Sequence, residues 1–512
     1  MRRSSVVVTV MTSTLGALVA SMSAVADEAA CAALAEPGKF ANTSIAATTA
    51  FTATGDSPAY CEVTATISPV EGSHIGVVYR LPEDWNGKVL GLGGGGFSGN
   101  TGLRDAAQGL RRGYATMQTD TGHKLPTSPA EVMDASWTST DGVFNWAPLE
   151  DFGHRAIHLM TMVGKDVAAA YYGRRHELAY YQGCSTGGRQ GMMESQRYPD
   201  DYDGIIAGAP VYDTTVQTSG FVRGQLVADP ERAIGPAQAA ALNAAMLAAC
   251  DGLDGAEDQV ITDIDVCRFD PSTLLCPAGR ASDACLTEPQ IDMVRERYTG
   301  VRLADGRVAM YESTPGSETA WVPLGGQVDP AASQEKFAAV FLGEFGVDPM
   351  QLTPEQIVEK VTSTRMHEIY SANDPDLSAF AARGGKLILY PGMLDAVANP
   401  PATIDYYDNA LATTGPKIDG EVTDFARLFL MPGVGHCIGG PGPSAADWLG
   451  ALEAWVAHGE APDQIMARRI ALPFEPAPAE PAPERVRPLC PYPALARYVD
   501  GDVNAPESFR CE

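Results

Sequence analysis

The sequence predicts an α/β fold, a mostly parallel sheet broken by one large insertion. Three observations predict it. Short apolar runs alternate with segments of helical spacing up to about residue 210, the alternation lapses between about Val211 and Arg383, and it resumes toward the C-terminus. Strands that alternate with helices are joined by crossovers, which lay them side by side in parallel. The 512 residues are 45% hydrophobic and 20% charged, enough to bury a large core. With 36 basic against 64 acidic side chains the formal net charge is −28. That charge repels nucleic-acid phosphates and anionic headgroups, so no nucleic-acid or membrane-surface partner is expected.

From the N-terminus, Arg2-Arg3 precede an apolar, small-residue run from Val6 to Ala20, and Ala24-Val25-Ala26 has the form of a signal-peptidase site. Residues 1–26 therefore read as a secretory signal cleaved after Ala26, placing the mature protein outside the cytoplasm, secreted or periplasmic. Gly76–Leu81 and Lys88–Leu92 read as strands, the second running into Gly93-Gly94-Gly95-Gly96-Phe97-Ser98-Gly99. Helical spacing follows over Asp151–Tyr172, then a strand at Leu178–Gln182 and a helix from about Arg189. Residues 211–383 carry an Asp cluster and amphipathic helical segments such as Pro236–Ala249 and Pro354–Thr364. They read as a lid domain inserted between two parts of one core, 27–210 and 384–512. Lys386–Tyr390 and Arg427–Met431 are further strands, Ala446–His458 is a helix, and Pro473–Pro483 is a stiff polyproline-like connector.

An even count of ten cysteines in an exported chain, with no CxxC pair, favours disulfides over metal thiolates. Sequence proximity groups Cys31 with Cys61, Cys250 with Cys267, Cys276 with Cys285, and Cys490 with Cys511. Cys184 and Cys437 are left over.

Gly183-Cys184-Ser185-Thr186-Gly187 fits G-x-S-x-G between a predicted strand and helix, the context of a nucleophile elbow. A serine hydroxyl needs a base at neutral pH. His436, in the glycine-rich stretch Pro432-Gly433-Val434-Gly435-His436-Cys437, follows a strand and precedes a helix, where such a base belongs. His154 and His158 are spaced i, i+4 but lack the intervening glutamate of a zinc protease, so a packing role is expected for them. Asp395 follows the strand Lys386–Tyr390 and supplies an orienting acid; from spacing alone, a turn or helix-capping aspartate fits the position equally well. The order Ser185, Asp395, His436 is that of an α/β-hydrolase core. The N–H of Thr186 and one from the glycine cluster, near Gly95, would form the oxyanion hole. The run Cys250-Asp251-Gly252-Leu253-Asp254-Gly255-Ala256-Glu257-Asp258-Gln259-Val260 carries carboxylates at 251, 254 and 258 on a flexible loop, a hard-oxygen pattern suited to calcium or else a solvated acidic turn.

The sequence resembles the tannase and feruloyl esterase family, which includes mono(2-hydroxyethyl)terephthalate hydrolase. The resemblance spans nearly the whole chain after the signal. It rests on Asp84-Trp85-Asn86-Gly87 before the glycine cluster, Tyr180-Tyr181-Gln182-Gly183-Cys184-Ser185-Thr186-Gly187-Gly188-Arg189-Gln190-Gly191, Arg197-Tyr198-Pro199-Asp200-Asp201-Tyr202-Asp203-Gly204-Ile205, Gly385-Lys386-Leu387-Ile388, Gly435-His436-Cys437 and Arg487-Pro488-Leu489-Cys490-Pro491-Tyr492-Pro493. It implies that Cys184 bonds Cys437, and that Asp251, Asp254 and Asp258 with the carbonyls of Ala256 and Val260 bind a structural Ca2+ in the lid. No organic cofactor is implied. Ala398 stands where the terephthalate enzyme has a phenylalanine three residues after the acid, so esters of aromatic acids such as feruloyl, chlorogenic or galloyl esters are the expected substrates. The alternatives are a terephthalate-monoester hydrolase, a serine peptidase, and a calcium-stabilised binding protein without catalysis.

Overall fold

The computed structural model describes residues 26–278, 280, 282–322, 331–470 and 484–512, so the predicted leader, except Ala26, and the Pro473–Pro483 tract lie outside the described residues. Nine strands form the central sheet: β1 (Thr43–Phe51), β2 (Tyr60–Ile67), β3 (Ile75–Pro82), β4 (Lys88–Leu92), β5 (Ala115–Thr119), β6 (Leu178–Cys184), β7 (Gly204–Gly208), β8 (Lys386–Tyr390) and β9 (Ala426–Leu428). Their spatial order is β1-β2-β3-β5-β4-β6-β7-β8-β9. From β5 to β9 every neighbour is parallel, whereas β1, β2, β3 and β5 pair antiparallel. The sheet is therefore mixed, with the parallel part carrying the predicted site. It is the large central sheet, flanked by helices, of an α/β hydrolase.

Burial explains which runs were legible. Strand β8 is covered on both faces and reads as a continuous apolar segment, with Leu387, Ile388 and Leu389 at most 1% exposed; β5, equally buried but carrying Thr116, Gln118 and Thr119, and the short β7 give no such run. Exposed and partly buried residues alternate along β1, with a register shift at Ile45/Ala47, so its pattern is weak. Helices α1 (Ala156–Tyr172), α2 (Thr186–Arg197), α3 (Thr215–Ala228), α4 (Pro400–Thr414) and α5 (Trp448–His458) cover or cap the sheet. Two expectations are corrected. Helix α2 starts at Thr186 rather than near Arg189, because Gly187 and Gly188, poor helix formers, occupy its first turn for steric reasons. The last strand ends at Leu428, beyond which the pairing continues only as isolated bonds, Phe429 N to Leu389 O, Met431 N to Pro391 O and Met393 N to Met431 O.

The segment after β7 forms α3 and further helices at Pro236–Cys250, Glu288–Thr299, Ala331–Leu342, Pro354–Thr362 and Arg365–Tyr370, with one short hairpin. It has an apolar centre of its own around Val222, Leu242, Ile291, Val294 and Ile357. A second cluster joins Phe341, Met366 and Tyr370 to Phe97, Leu149 and Phe152, seating the segment above the sheet. All ten cysteines are paired, as Cys31–Cys61, Cys184–Cys437, Cys250–Cys267, Cys276–Cys285 and Cys490–Cys511. Among the described residues no helix is long and apolar enough to cross a membrane.

Candidate active site

Ser185 stands between the end of β6 and the first turn of α2, with φ 64° and ψ −123°. A side chain rarely adopts that conformation, and the surroundings must hold it there. Its N–H donates to Gly208 O (3.0 Å), and its carbonyl accepts from Arg189 N (3.0 Å) and Val211 N (3.3 Å). The flanking glycines are steric necessities: a Cβ on Gly183 would lie 2.5 Å from the carbonyl of Gly187, and one on Gly187 would lie 2.9 Å from Gly94 O. The turn can be this sharp only because both are bare. It presents the hydroxyl at the N-terminus of α2, where backbone N–H groups and the helix dipole favour a developing negative charge.

The two other triad candidates converge on this hydroxyl. His436 Nε2 lies 2.8 Å from Ser185 Oγ, and His436 Nδ1 lies 2.6 Å from Asp395 Oδ2. Asp395 is 3% exposed, and its Oδ1 accepts from Val397 N (2.7 Å) and Ala398 N (3.0 Å). With Nδ1–H directed at the carboxylate, Nε2 is left to accept from the serine. Burial pulls His436 down, but the charge of Asp395 and the bond to it outweigh burial, so its affinity for a proton rises above the ordinary imidazole value. The two loops are tied directly: Leu394 N donates to Val434 O (2.8 Å), and a Cβ on Gly392 would meet Gly435 O at 2.1 Å. The Cys184–Cys437 disulfide, with Cα atoms 6.0 Å apart, joins the residue before Ser185 to the residue after His436.

A cavity of about 330 Å³ opens on Ser185 and Thr186, walled by Phe97, Phe221, Phe337 and Tyr370 and reached by Gln217 and Arg223. The glycine of the predicted cluster that lines it is Gly96, beside Gly95; the N–H groups of Gly93 and Gly94 are engaged by Gln182 O and Gln190 Oε1.

A model of the tannase and feruloyl esterase family matches residues 61–512. The chain belongs to that family. It is 32% identical over 527 residues to mono(2-hydroxyethyl) terephthalate hydrolase of Piscinibacter sakaiensis, covering 89% of this chain and 85% of that one. It is likewise 32% identical over 475 residues to a probable feruloyl esterase of Arthroderma benhamiae, covering 88% and 85%. The solved feruloyl esterase B from Aspergillus oryzae superposes with a TM-score of 0.80 at 27% identity, covering 94% of this chain and 99% of that one. This family member is a carboxylic ester hydrolase.

The histidine pair lies apart from this cavity. His154 Nδ1 meets Tyr198 OH at 2.6 Å, while His158 stacks on Tyr198 and bonds Asp201 Oδ2 at 2.6 Å. Donor atoms of His158, Glu194 and Asp201 converge within 4.8 Å. Burial and the charge of Asp201 hold Glu194 well above the usual carboxylate range.

Sequence reasoning missed the residues that hold the site from behind. Arg189, fully buried, donates to Gly153 O (2.6 Å), Phe152 O (2.9 Å) and Tyr370 O (3.2 Å), locking α2 to its neighbours. His123 meets Phe97 O at 3.0 Å and stacks on Trp137; burial pulls it down to about 4, so it is neutral in use. Arg189 and Gln190 stood inside a quoted motif, but no local spacing reveals contacts made across elements.

Replacing Cys184 and Cys437 together by alanine releases a 253-residue closure, worth about 5 kcal/mol by chain entropy. The melting temperature is expected to fall, and below it kcat is expected to drop more than KM rises, because the bond also sets the Ser185–His436 spacing. Differential scanning calorimetry with steady-state kinetics on a feruloyl ester checks both; unchanged kcat would deny the bond any role in alignment.

Proposed function

We propose that this protein is an exported serine esterase acting on esters of aromatic acids through Ser185, His436 and Asp395. The observation that carries the reading is the unbroken hydrogen-bonded line from the Ser185 hydroxyl through His436 to buried Asp395, at the floor of an aromatic-walled cavity. Ser185 Oγ attacks the ester carbonyl while His436 Nε2 takes its proton. Asp395 holds the imidazole in the tautomer that allows this and stabilises the imidazolium. The tetrahedral oxyanion is met by the N–H of Thr186 and one from the Gly95 region, each such donor being worth roughly 3 to 4 kcal/mol. His436 returns the proton to the leaving alcohol, an acyl-Ser185 ester remains, and water activated by the same imidazole releases the acid.

Phe97, Phe221, Phe337 and Tyr370 favour a planar aromatic acyl group. Arg223 is the cationic side chain of that wall, and it donates to Ala396 O, Asn399 Oδ1 and Ser219 O. Those protein acceptors, with Ala398 three residues after the acid, favour neutral phenolic esters over a free-carboxylate substrate of the terephthalate kind. The lid reading of 211–383 draws on the apolar centre of that segment and on its aromatic contribution to the cavity.

Calcium fits the loop between Cys250 and Cys267. Each carboxylate oxygen of Asp251, Asp254 and Asp258 accepts one bond, from Gln259, Val260, Ala256 or Thr262 N–H or from Arg487, and so keeps a lone pair for a cation. With the carbonyls of Ala256 and Val260 the donors are all hard oxygens. The ion would supply charge compensation and loop rigidity. The leader and the five disulfides support export.

Ser185→Ala is expected to lower kcat on methyl ferulate by on the order of a millionfold with the fold intact; retention of more than about a per cent of activity would refute the nucleophile. Because His436 must be neutral to accept a proton and its pKa is raised, kcat/KM is expected to fall on acidification with a midpoint above 6.5. Asp395→Asn should remove most of the rate and move that limb to lower pH, and a midpoint below 6.5 in the wild type would contradict the pairing. Exhaustive chelation is expected to lower the melting temperature without altering which ester bond is cut. Superimposable melting curves with calcium and with chelator would remove the metal from the account.

A further inference from the structure

Arg223 lies on α3, in the segment inserted after β7, yet its guanidinium reaches the turn that carries Asp395. It donates to the carbonyl of Ala396 and to the side-chain oxygen of Asn399, and its Nε donates to Ser219 O (3.2 Å) within its own helix. The turn it grips is wound around the acid: Asp395 Oδ1 accepts the N–H groups of Val397 and Ala398, and Asn399 closes the turn at φ 53°. A non-glycine residue at that φ persists only where its surroundings over-determine it. Arg223 holds both sides of the turn at once, a task suited to the rigid fork of a guanidinium and not to a point-charge ammonium. Charged groups felt by Arg223 are Asp395, which stabilises its cation, and Arg297, whose pKa is lowered by burial first and by Arg223 second.

We infer that Arg223 is a positioning residue for Asp395, a strut through which the inserted segment sets the carboxylate against His436. The inference rests on the proposed triad. Its chemistry is geometric: the strut holds the turn so that Asp395 Oδ2 stays 2.6 Å from His436 Nδ1. Docking of the inserted segment thereby becomes a condition for alignment as well as for forming the acyl pocket. An arginine serving mainly to bind substrate would leave its N–H groups to the cavity, whereas this one directs three of them to protein oxygens.

The test compares wild type, Arg223→Met, Arg223→Lys and Asn399→Gly with methyl ferulate as substrate, Ser185→Ala serving as the separate control on the triad. For Arg223→Met, kcat should fall roughly tenfold to a hundredfold with KM changed by less than about threefold. The acid limb of its kcat/KM profile should move to lower pH, because a displaced Asp395 no longer holds up the proton affinity of His436. Simple loss of a cation beside Asp395 would move that limb the other way, so an upward shift overturns the inference. Arg223→Lys should recover part of kcat, and Asn399→Gly, which keeps the arginine and tolerates the backbone angle, should show the same signature at smaller size. If Arg223→Met does not fold, Asn399→Gly decides: wild-type kcat and pH profile there overturn the strut. A rise in KM at unchanged kcat in Arg223→Met would make Arg223 a substrate contact instead. An active Ser185→Ala would fell the triad and the strut together, which distinguishes that failure from failure of the strut alone.

Discussion

The rest of the site depends on one strained turn. Ser185 is held at φ 64° because Gly183 and Gly187 approach more closely than any side chain permits, and because its N–H is held by Gly208 O on the neighbouring strand. Release of either constraint would relax the serine toward ordinary backbone angles and withdraw the hydroxyl from His436. The parallel strands supply the rigid floor: β6, β7 and β8 end together, so the loops bearing Ser185 and Asp395 emerge at one edge of the sheet. The bond between Cys184 and Cys437 then carries that rigidity to the histidine loop.

What could be read in the sequence was what is encoded locally. The elbow glycines, the order serine, acid, histidine and the apolar runs of β4, β6 and β8 all follow from nearest-neighbour sterics or from burial on both faces. Asp395 was only half legible, since a turn-capping aspartate has the same spacing; its carboxylate does both, one oxygen capping Val397 and Ala398 N–H and the other meeting His436. Strand β1 at the antiparallel edge escaped because it is partly exposed and irregular. Arg189, His123 and Arg223 escaped for a different reason. Each acts on a carbonyl far away in the chain, and a carbonyl leaves no mark on residue identity.

Buried cations recur behind the site. Arg189 has no carboxylate among its bonds; it sits between carbonyls and the faces of Phe152 and Tyr370. Such an arrangement engages both terminal nitrogens of the guanidinium without a carboxylate, while its buried Nε has no hydrogen-bond partner among the described residues. The same Tyr370 walls the cavity beside Ser185, so that cavity and helix α2 share one residue, held by Arg189 through its carbonyl and its ring. On the proposed function, substrate selection and alignment of the reacting groups share structural elements, and a substitution in the inserted segment is expected to affect both.

The central claim is that Ser185 is activated by His436 and is the atom that becomes acylated. Inactivation with a phosphorylating ester such as diethyl p-nitrophenyl phosphate, followed by peptide mass spectrometry, tests it most directly, since only an activated hydroxyl reacts at a useful rate. The account predicts one equivalent bound per chain, on the peptide containing Ser185, with activity lost in step with labelling. Full inactivation with the label on another residue, or no labelling of an enzyme that turns over its ester, would contradict it.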